Sequence, residues 1–160
     1  MCGISGAVGL KNISELLFEG IKNLEYRGYD SCGVGLIKKS GLLIKKDIGG
    51  VEEFYRKHNV LQYKSKVGIA HTRWATHGKV TKENTHPFTS RDDNFAVVHN
   101  GIISNYRPLK AQLQKEGFKF SSETDTEVLA HLLEKFYKRS RNVENAFVKM
   151  LNLIEGTYAI

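Results

Sequence analysis

The chain has 160 residues, 41% of them apolar and 26% charged, and its 24 Lys and Arg against 17 Asp and Glu give a net charge of +7 at pH 7. A chain of this length buries roughly 70% of its unfolded surface, so it can form a core without disulfides or a metal. Its apolar runs are much shorter than the ~20 residues that span a bilayer. No basic segment of a secretory signal precedes them, so we expect a cytoplasmic single domain with two free thiols, Cys2 and Cys32.

The basic residues are scattered along the chain as short pairs. None of the sequence strings typical of RNA- or DNA-binding modules is present. We therefore expect neither a nucleic-acid nor a membrane partner. The positive balance is typical of a solvated surface, and it would also attract anionic metabolites.

Hydrophobic patterning predicts alternating strands and helices in the first half of the chain, with Ser14 as the N-cap of the first helix. The two middle strands flank a short Gly-containing turn, so this sheet should be antiparallel. The predicted elements are a strand over 3–9, a helix over 14–24, strands over 33–38 and 42–47, a helix over 51–57 and a strand over 67–71.

The second half of the chain is predicted to be mainly helical, after a long loop of the kind that often carries function. The predicted elements are the loop over 74–94, a strand over 95–103 that bends at 99–101, helices over 107–116, 124–138 and 143–154, and a strand from 157. Thr124 and Glu127 should form a capping box. Because a domain rarely stops on the first residues of a strand, we expect the chain to be C-terminally truncated.

Cys2 becomes the N-terminal residue if Met1 is removed. An α-amine has an ordinary pKa of about 7.7 to 8.0, so it can accept the proton of its own thiol near neutral pH. Nucleophile and base would then belong to one residue, whereas retention of Met1 would block the base. For a generic cysteine, a small buried side chain at the start of a strand is the better interpretation.

Three further positions could serve amide chemistry. Asn100-Gly101 offers a side-chain amide and a backbone N–H for an oxyanion, although an Asn-Gly turn explains the pair equally well. Arg73, at a strand end, could hold a carboxylate with two hydrogen bonds, or form a surface salt bridge. Asp125 suits the first turn of a helix whatever it binds.

Metal and cofactor sites are not expected. The histidines His71, His77, His86 and His99 have no helical i, i+4 pairing, and no Cys-x-x-Cys accompanies them. No Gly-x-Gly-x-x-Gly or Gly-Lys-Ser/Thr string is present. We therefore predict no metal and no cofactor.

Six motifs in this order closely resemble the class II glutamine amidotransferases, and within them the glutaminase domain of the glutamine–fructose-6-phosphate aminotransferases (glucosamine-6-phosphate synthases). The resemblance covers essentially the whole chain, and Tyr29-Asp30 stands where the sister amidophosphoribosyltransferases usually have Gln-Glu. Cys32 departs from the family's usual Ala. The motifs are Met1-Cys2-Gly3-Ile4, Leu24-Glu25-Tyr26-Arg27-Gly28-Tyr29-Asp30-Ser31, His71-Thr72-Arg73-Trp74-Ala75-Thr76-His77-Gly78, Asn84-Thr85-His86-Pro87, Val98-His99-Asn100-Gly101-Ile102-Ile103 and Ser122-Glu123-Thr124-Asp125-Thr126-Glu127.

The resemblance implies an α+β N-terminal-nucleophile hydrolase fold, a four-layer αββα sandwich of two antiparallel sheets, incomplete here at its C-terminus. The family's roles, carried over by position, make Cys2 the catalytic nucleophile and Asn100 with Gly101 the oxyanion hole. Arg73 would bind the α-carboxylate of glutamine and Asp125 its α-ammonium group. The remaining pocket residues are the gating aromatic Trp74, with Thr76 and His77.

The same resemblance implies that Cys2 hydrolyses L-glutamine through a γ-glutamyl thioester. The ammonia would pass to a sugar-isomerase-like synthase domain, absent from this chain, that converts fructose 6-phosphate to glucosamine 6-phosphate. A homodimer is expected for the full-length protein. Two alternatives remain open: a glutamine-binding fragment with little turnover, and an amidotransferase with another ammonia acceptor.

Overall fold

The computed structural model describes residues 2–75 and 79–160, and the chain divides into two compact units, 1–87 and 88–160. Within the described residues, no helix has the length and apolarity needed to cross a membrane. All observed strand pairs are antiparallel, as the hairpin pattern predicted.

The first unit is built on a four-stranded sheet with the order β1-β4-β2-β3. Apolar side chains of α1, α2 and the sheet form its core, with Leu17, Ile21 and Val51 fully buried. The elements, close to the predicted ones, are β1 (Gly3–Val8), α1 (Ser14–Lys22), β2 (Ser31–Lys38), β3 (Gly41–Ile48), α2 (Val51–Lys57) and β4 (Val67–Arg73).

The predicted N-cap of α1 is wrong by one residue, because Ile13 takes that position without a side-chain cap. Ser14 is fully buried as the first helical residue. Its hydroxyl and backbone N–H bond to Asn12 Oδ1, at 3.1 and 3.4 Å. Asn12 Oδ1 also accepts from Ser65 N–H at 2.9 Å, so it joins the start of the helix to the segment before β4.

The second unit combines three helices with two small sheets, β5-β6 and β7-β8. Its core lies around α4, where Val128, Leu129 and Leu132 are almost completely buried. The elements are β5 (Phe88–Thr89), β6 (Ala96–Val97), β7 (Asn100–Ile103), α3 (Tyr106–Lys115), α4 (Thr126–Ser140), α5 (Val143–Leu151) and β8 (Gly156–Ala159).

The structure refines three predictions in this unit. The loop over 74–94 contains the short strand β5, and the strand expected over 95–103 is two strands, since β6 pairs with β5 and β7 with β8. Helix α5 ends at Leu151, earlier than expected. The strand predicted from 157 is confirmed as β8.

Candidate active site

Cys2 lies immediately before β1 and contacts the end of the neighbouring strand β4. Trp74 N–H donates to Cys2 Sγ at 3.3 Å, and the thiol lies 3.6 Å from the Trp74 carbonyl, to which it can donate. The register explains this placement, because Gly3 pairs with Thr72 and the chain before β1 therefore meets the chain after β4. Cys2 is partly exposed, so its sulfur is both held by the backbone and open to solvent.

A close approach of Leu24, two residues after α1, to the start of β1 requires glycine at position 3. A Cβ on Gly3 would lie 2.6 Å from Leu24 Cβ and 2.9 Å from Thr72 Oγ1. Neither neighbour is the flexible tip of a side chain, so a larger residue would displace the strand end that carries Cys2.

Arg73 is the last residue of β4, and only 5% of its surface is exposed. Its Nη1 donates to the Lys79 carbonyl at 3.2 Å. Burial lowers the pKa of the Arg73 guanidinium, and the nearby Cys2 and Asp30 oppose that shift. A surface salt bridge is therefore not the role of Arg73, which places a buried cation near the Cys2 thiol.

Trp74 does not pack in the core, since 40% of its surface is exposed. Its ring meets the Tyr29 ring edge-on, with the ring centres 5.4 Å apart and an interplanar angle of 78°. This exposed aromatic pair stands beside Cys2, where the resemblance predicts a gate. The other two predicted pocket residues of this loop, Thr76 and His77, lie outside the described residues.

The segment over 79–87 packs closely against the four-stranded sheet. The His71 and His86 rings stack with centres 4.0 Å apart, and both residues are buried. A Cβ on Gly33, in the middle of β2, would lie 2.0 Å from the His86 carbonyl oxygen. The glycine thus allows the loop backbone to rest directly on the strand.

Asn100 and Gly101 begin β7 and pair with Ala159 and Tyr158 of β8. Gly101 has a φ of +125°, which side-chain-bearing residues rarely adopt, and a Cβ there would lie 2.0 Å from the Thr157 carbonyl oxygen. The break predicted at 99–101 is therefore confirmed, because β6 ends at Val97, β7 begins at Asn100 and the backbone at Gly101 requires glycine.

Asp125 is the N-cap residue of α4, so the predicted capping box over 124–127 is wrong. Its side chain makes no cap bond to its own helix, and Asp125 Oδ2 accepts instead from Ile103 N–H at 2.8 Å. This bond links the start of α4 to β7. The other carboxylate oxygen of Asp125 takes no part in this bond.

Glu127, the acidic member of the predicted box, is buried and bonds to the preceding turn. Its carboxylate accepts from the backbone N–H groups of Ser121 and Ser122, both at 2.8 Å, and from their hydroxyls at 3.0 and 2.7 Å. Burial opposes its ionisation, but these four donors hold the pKa of Glu127 below its usual value.

His99 precedes Asn100 and is buried against the first turn of α4. Its Nδ1 lies 2.9 Å from Thr126 Oγ1. Burial lowers the pKa of His99, although the nearby Asp125 carboxylate opposes that shift. Within the parts of the chain that the structure describes, no three His, Cys, Asp or Glu side chains gather as metal ligands.

The structure thus brings the predicted residues together as two groups. Cys2, Arg73 and Trp74 meet in the first unit, and Asn100, Gly101 and Asp125 lie around β7 in the second. Sequence reasoning assigned no role to Asp30, whose carboxylate accepts from Ala75 N–H at 2.8 Å. The sequence signal that could have pointed to Asp30 is its position in the family motif that ends Tyr29-Asp30-Ser31.

Comparison with known proteins gives matches over the whole chain. Relatives named glutamine–fructose-6-phosphate aminotransferase [isomerizing] are 46% identical in Francisella tularensis, over 100% of this chain, and 49% identical in Aquifex aeolicus, over 99% of it. In both cases the match covers 26% of the relative, so the chain spans about a quarter of the length of these curated relatives.

Among solved structures, glutamine phosphoribosylpyrophosphate amidotransferase from B. subtilis, complexed with ADP and GMP, matches with a TM-score of 0.82 and 31% identity. The match covers 99% of this chain and 34% of that one. A structure described as the allosteric regulatory enzyme of purine biosynthesis has a TM-score of 0.78, also at 31% identity. These likenesses confirm the predicted α+β fold of the N-terminal-nucleophile amidotransferases.

The family model for the glutamine amidotransferase domain matches residues 57–155, which is more than half of the chain. This match includes Arg73 and Trp74 at the end of β4 and Asn100, Gly101 and Asp125 around β7. The chain therefore belongs to the glutamine amidotransferase family.

Proposed function

We propose that this chain is the glutaminase domain of a glutamine–fructose-6-phosphate aminotransferase and that Cys2 is its nucleophile. The observation that carries the proposal is the position of the Cys2 thiol, which is partly exposed, bonded to the Trp74 backbone and close to the buried Arg73. Family membership supplies glutamine as the substrate class. Arg73 is the proposed partner of the glutamine α-carboxylate, because its planar fork matches a carboxylate with two bonds.

The proposed reaction has two chemical steps. The Cys2 thiolate attacks the side-chain amide carbon of glutamine, and the α-amine of Cys2, freed by removal of Met1, takes the thiol proton. Collapse of the tetrahedral intermediate breaks the carbon–nitrogen bond, and the same amine returns the proton so that ammonia leaves. Water then hydrolyses the γ-glutamyl thioester to glutamate and restores the thiol.

Six further residues have proposed roles in this reaction. The Asn100 amide and the Gly101 N–H are proposed donors to the oxyanion, where loss of one donor typically costs about 3 to 4 kcal/mol in the barrier. Asp125 is the proposed partner of the glutamine α-ammonium. Its second carboxylate oxygen, which takes no part in the bond to Ile103, supports that role. Trp74 is the proposed gate, with Thr76 and His77 as pocket residues.

The thioester itself is the most specific test of this mechanism. The protein is mixed with glutamine, quenched in acid within one turnover and digested, and the peptide that carries Cys2 is weighed. A γ-glutamyl adduct that hydroxylamine removes is expected with glutamine and not with asparagine, which is one methylene shorter. Glutamate release without any adduct on Cys2 would contradict the mechanism. If neither glutamate release nor an adduct is observed, the alternative of a glutamine-binding fragment is favoured.

Fructose 6-phosphate is the proposed ammonia acceptor, used by a synthase domain beyond this chain in a homodimeric full-length protein. The names of relatives at 46–49% identity support this acceptor over phosphoribosylpyrophosphate, which the name of a solved structure at 31% identity carries. The full-length protein should form glucosamine 6-phosphate from fructose 6-phosphate and glutamine. Amination of phosphoribosylpyrophosphate instead would overturn the assignment.

A further inference from the structure

Asp30, the residue just before β2, holds the backbone on both sides of Trp74. Its own N–H donates to the Arg73 carbonyl at 3.0 Å, and its Oδ2 accepts from Ala75 N–H at 2.8 Å. The Asp30 carbonyl accepts from Gly49 N–H at 2.9 Å, so its backbone is anchored at the end of β3. Asp30 is therefore a fixed point from which two bonds reach the Trp74 segment.

These bonds fall on the same two peptide units that contact the Cys2 sulfur. Trp74 N–H, which points at Sγ, shares its peptide plane with the Arg73 carbonyl, and the Trp74 carbonyl shares its plane with Ala75 N–H. In a planar trans peptide the N–H and C=O point in opposite directions. In each of these two peptide units, one group faces the Cys2 sulfur and Asp30 bonds to the opposite group.

Such an arrangement fixes a donor direction without touching the reacting atoms. A peptide plane held at one end cannot rotate, and hydrogen bonds in series polarise one another. Of the two Trp74 groups, the N–H can donate to the sulfur when it is a thiolate, whereas the carbonyl can only accept. The orientation of that peptide therefore matters for the charged nucleophile.

We propose that Asp30 is a positioning residue for the Cys2 nucleophile, acting through the Trp74 peptide units. The inference rests on the proposed function, since it assigns Cys2 as the attacking group. In this proposal, the carboxylate oxygen that accepts from Ala75 N–H is the group that holds the peptide in place. The main-chain bond to Arg73 is kept by any substitution other than proline, because the Asp30 N–H donates it.

Three variants separate this role from general stabilisation. Asp30→Ala removes the acceptor for Ala75 N–H, whereas Asp30→Asn keeps an oxygen there and removes only the charge. Asp47→Ala is the matched control, because Asp47 is another carboxylate of this unit that accepts a backbone N–H, from Ile48 at 3.0 Å, and it contacts Lys57 and His58 rather than Trp74.

The measurements are glutaminase kinetics, thermal unfolding and the peptide-resolved rate of Cys2 alkylation by iodoacetamide, all on the full-length protein. For Asp30→Ala we expect kcat to fall on the order of tenfold to a hundredfold, with KM within about threefold, and a parallel fall in the alkylation rate. Asp30→Asn should recover most of both rates, and Asp47→Ala should keep both. If Asp30→Ala does not fold, Asp30→Ser, whose hydroxyl is too short to replace the carboxylate, takes its place.

Three outcomes would overturn the role of Asp30: unchanged kcat and alkylation in Asp30→Ala, an equal kcat loss in Asp47→Ala, or no recovery in Asp30→Asn. The last would assign the effect to the negative charge beside Arg73. A wild-type protein that releases no glutamate would instead refute the proposed function. The alkylation rates of the variants would still decide whether Asp30 positions the sulfur.

Discussion

The two cysteines occupy neighbouring parts of one sheet but differ in their exposure and in the groups that they contact. Gly3, next to Cys2, and Cys32 itself both pair with Thr72, from opposite sides of β4. Cys32 is 1% exposed within the first core, and burial raises its pKa well above the usual range, with the charge of Glu25 adding to the shift. Cys2 is partly exposed and contacts the Trp74 backbone.

This difference shows that the exposure of each thiol follows from its place in the sheet, because β1 is an edge strand and β2 lies inside the sheet. Cys32 is the second residue of β2, which lies between β4 and β3, and its side chain packs in the first core. Cys2 precedes the edge strand β1. There the Trp74 N–H donates to the Cys2 sulfur, and the Ala75 N–H donates to the Asp30 carboxylate. Only the second setting leaves the sulfur accessible to a substrate or reagent.

The largest effect should come from exchanging the two thiols for alanine one at a time. Cys2→Ala should reduce glutamate release by at least about a thousandfold, because the nucleophile is lost. Cys32→Ala should leave turnover near that of the wild type, and the small cavity should cost about 1 kcal/mol of unfolding free energy. Coupled glutamate assays and denaturant unfolding measure both. Equal activity losses in the two variants would break the comparison.

A second large difference is expected in alkylation of the native protein. Iodoacetamide should modify Cys2 at least about a hundredfold faster than Cys32, because Cys32 reacts only when the sheet opens. Peptide mapping over a time course gives the two rates. Urea at unfolding concentrations is the control and should bring the rates within a few-fold of each other. Comparable native rates would contradict the burial of Cys32.

The surroundings of the two thiols also differ in charge, because the buried cation of Arg73 lies near Cys2. Arg73→Gln should raise the KM for glutamine by about tenfold to a hundredfold, because a charge-assisted pair with the α-carboxylate is worth roughly 1.5–3 kcal/mol. Arg56→Gln, on the exposed face of α2, is the matched control and should leave KM unchanged. Steady-state kinetics with glutamine provide the test, and an unchanged KM in Arg73→Gln would remove Arg73 from the substrate site.

The smallest expected effect is on stability and concerns two carboxylates of the second unit, one proposed to bind substrate and one buried in a structural role. Asp125 bonds to Ile103 and has a proposed substrate role, whereas Glu127 is buried under four donors from Ser121 and Ser122. Glu127→Gln should lower the unfolding free energy at pH 7 by about 1–3 kcal/mol.

The pH dependence of this loss has a defined sign. The pKa of Glu127 is lower in the folded state, so its stabilisation is full above the unfolded pKa of about 4.3 and disappears as pH falls through the folded pKa. The difference between wild type and Glu127→Gln should therefore shrink below about pH 4.3. Urea unfolding from pH 7 to pH 3 measures it, and a difference independent of pH would contradict the assignment.

Most of the fold could be predicted from the sequence because periodicity and turn residues agree locally. The helix over Val51–Lys57 and the hairpin of β2 and β3 follow directly from that pattern. The predicted caps were wrong because Ser14 and Glu127 bond to groups outside their own helices. Glu127 looks like a box residue in sequence, but its donors lie in the preceding turn, and the Asp125 carboxylate bonds to β7.

The sequence supplied candidate site residues but not their arrangement. The resemblance named Cys2, Arg73 and Asp125, but no local pattern could show that Arg73 is buried or that Trp74 bonds to the Cys2 sulfur through its backbone. Asp30 was missed for the same reason. Its partners Arg73 and Ala75 are more than forty positions away along the chain, and the β2–β4 pairing brings them together.

The most direct test of the central claim is the intact mass of the protein before and after exposure to 6-diazo-5-oxo-L-norleucine, a glutamine analogue that alkylates thiolates, followed by peptide mapping. We predict loss of Met1 and a single adduct on Cys2 that excess glutamine suppresses. A folded protein without Met1 that stays unlabelled, or that is labelled only on Cys32, would contradict Cys2 as the nucleophile of this domain.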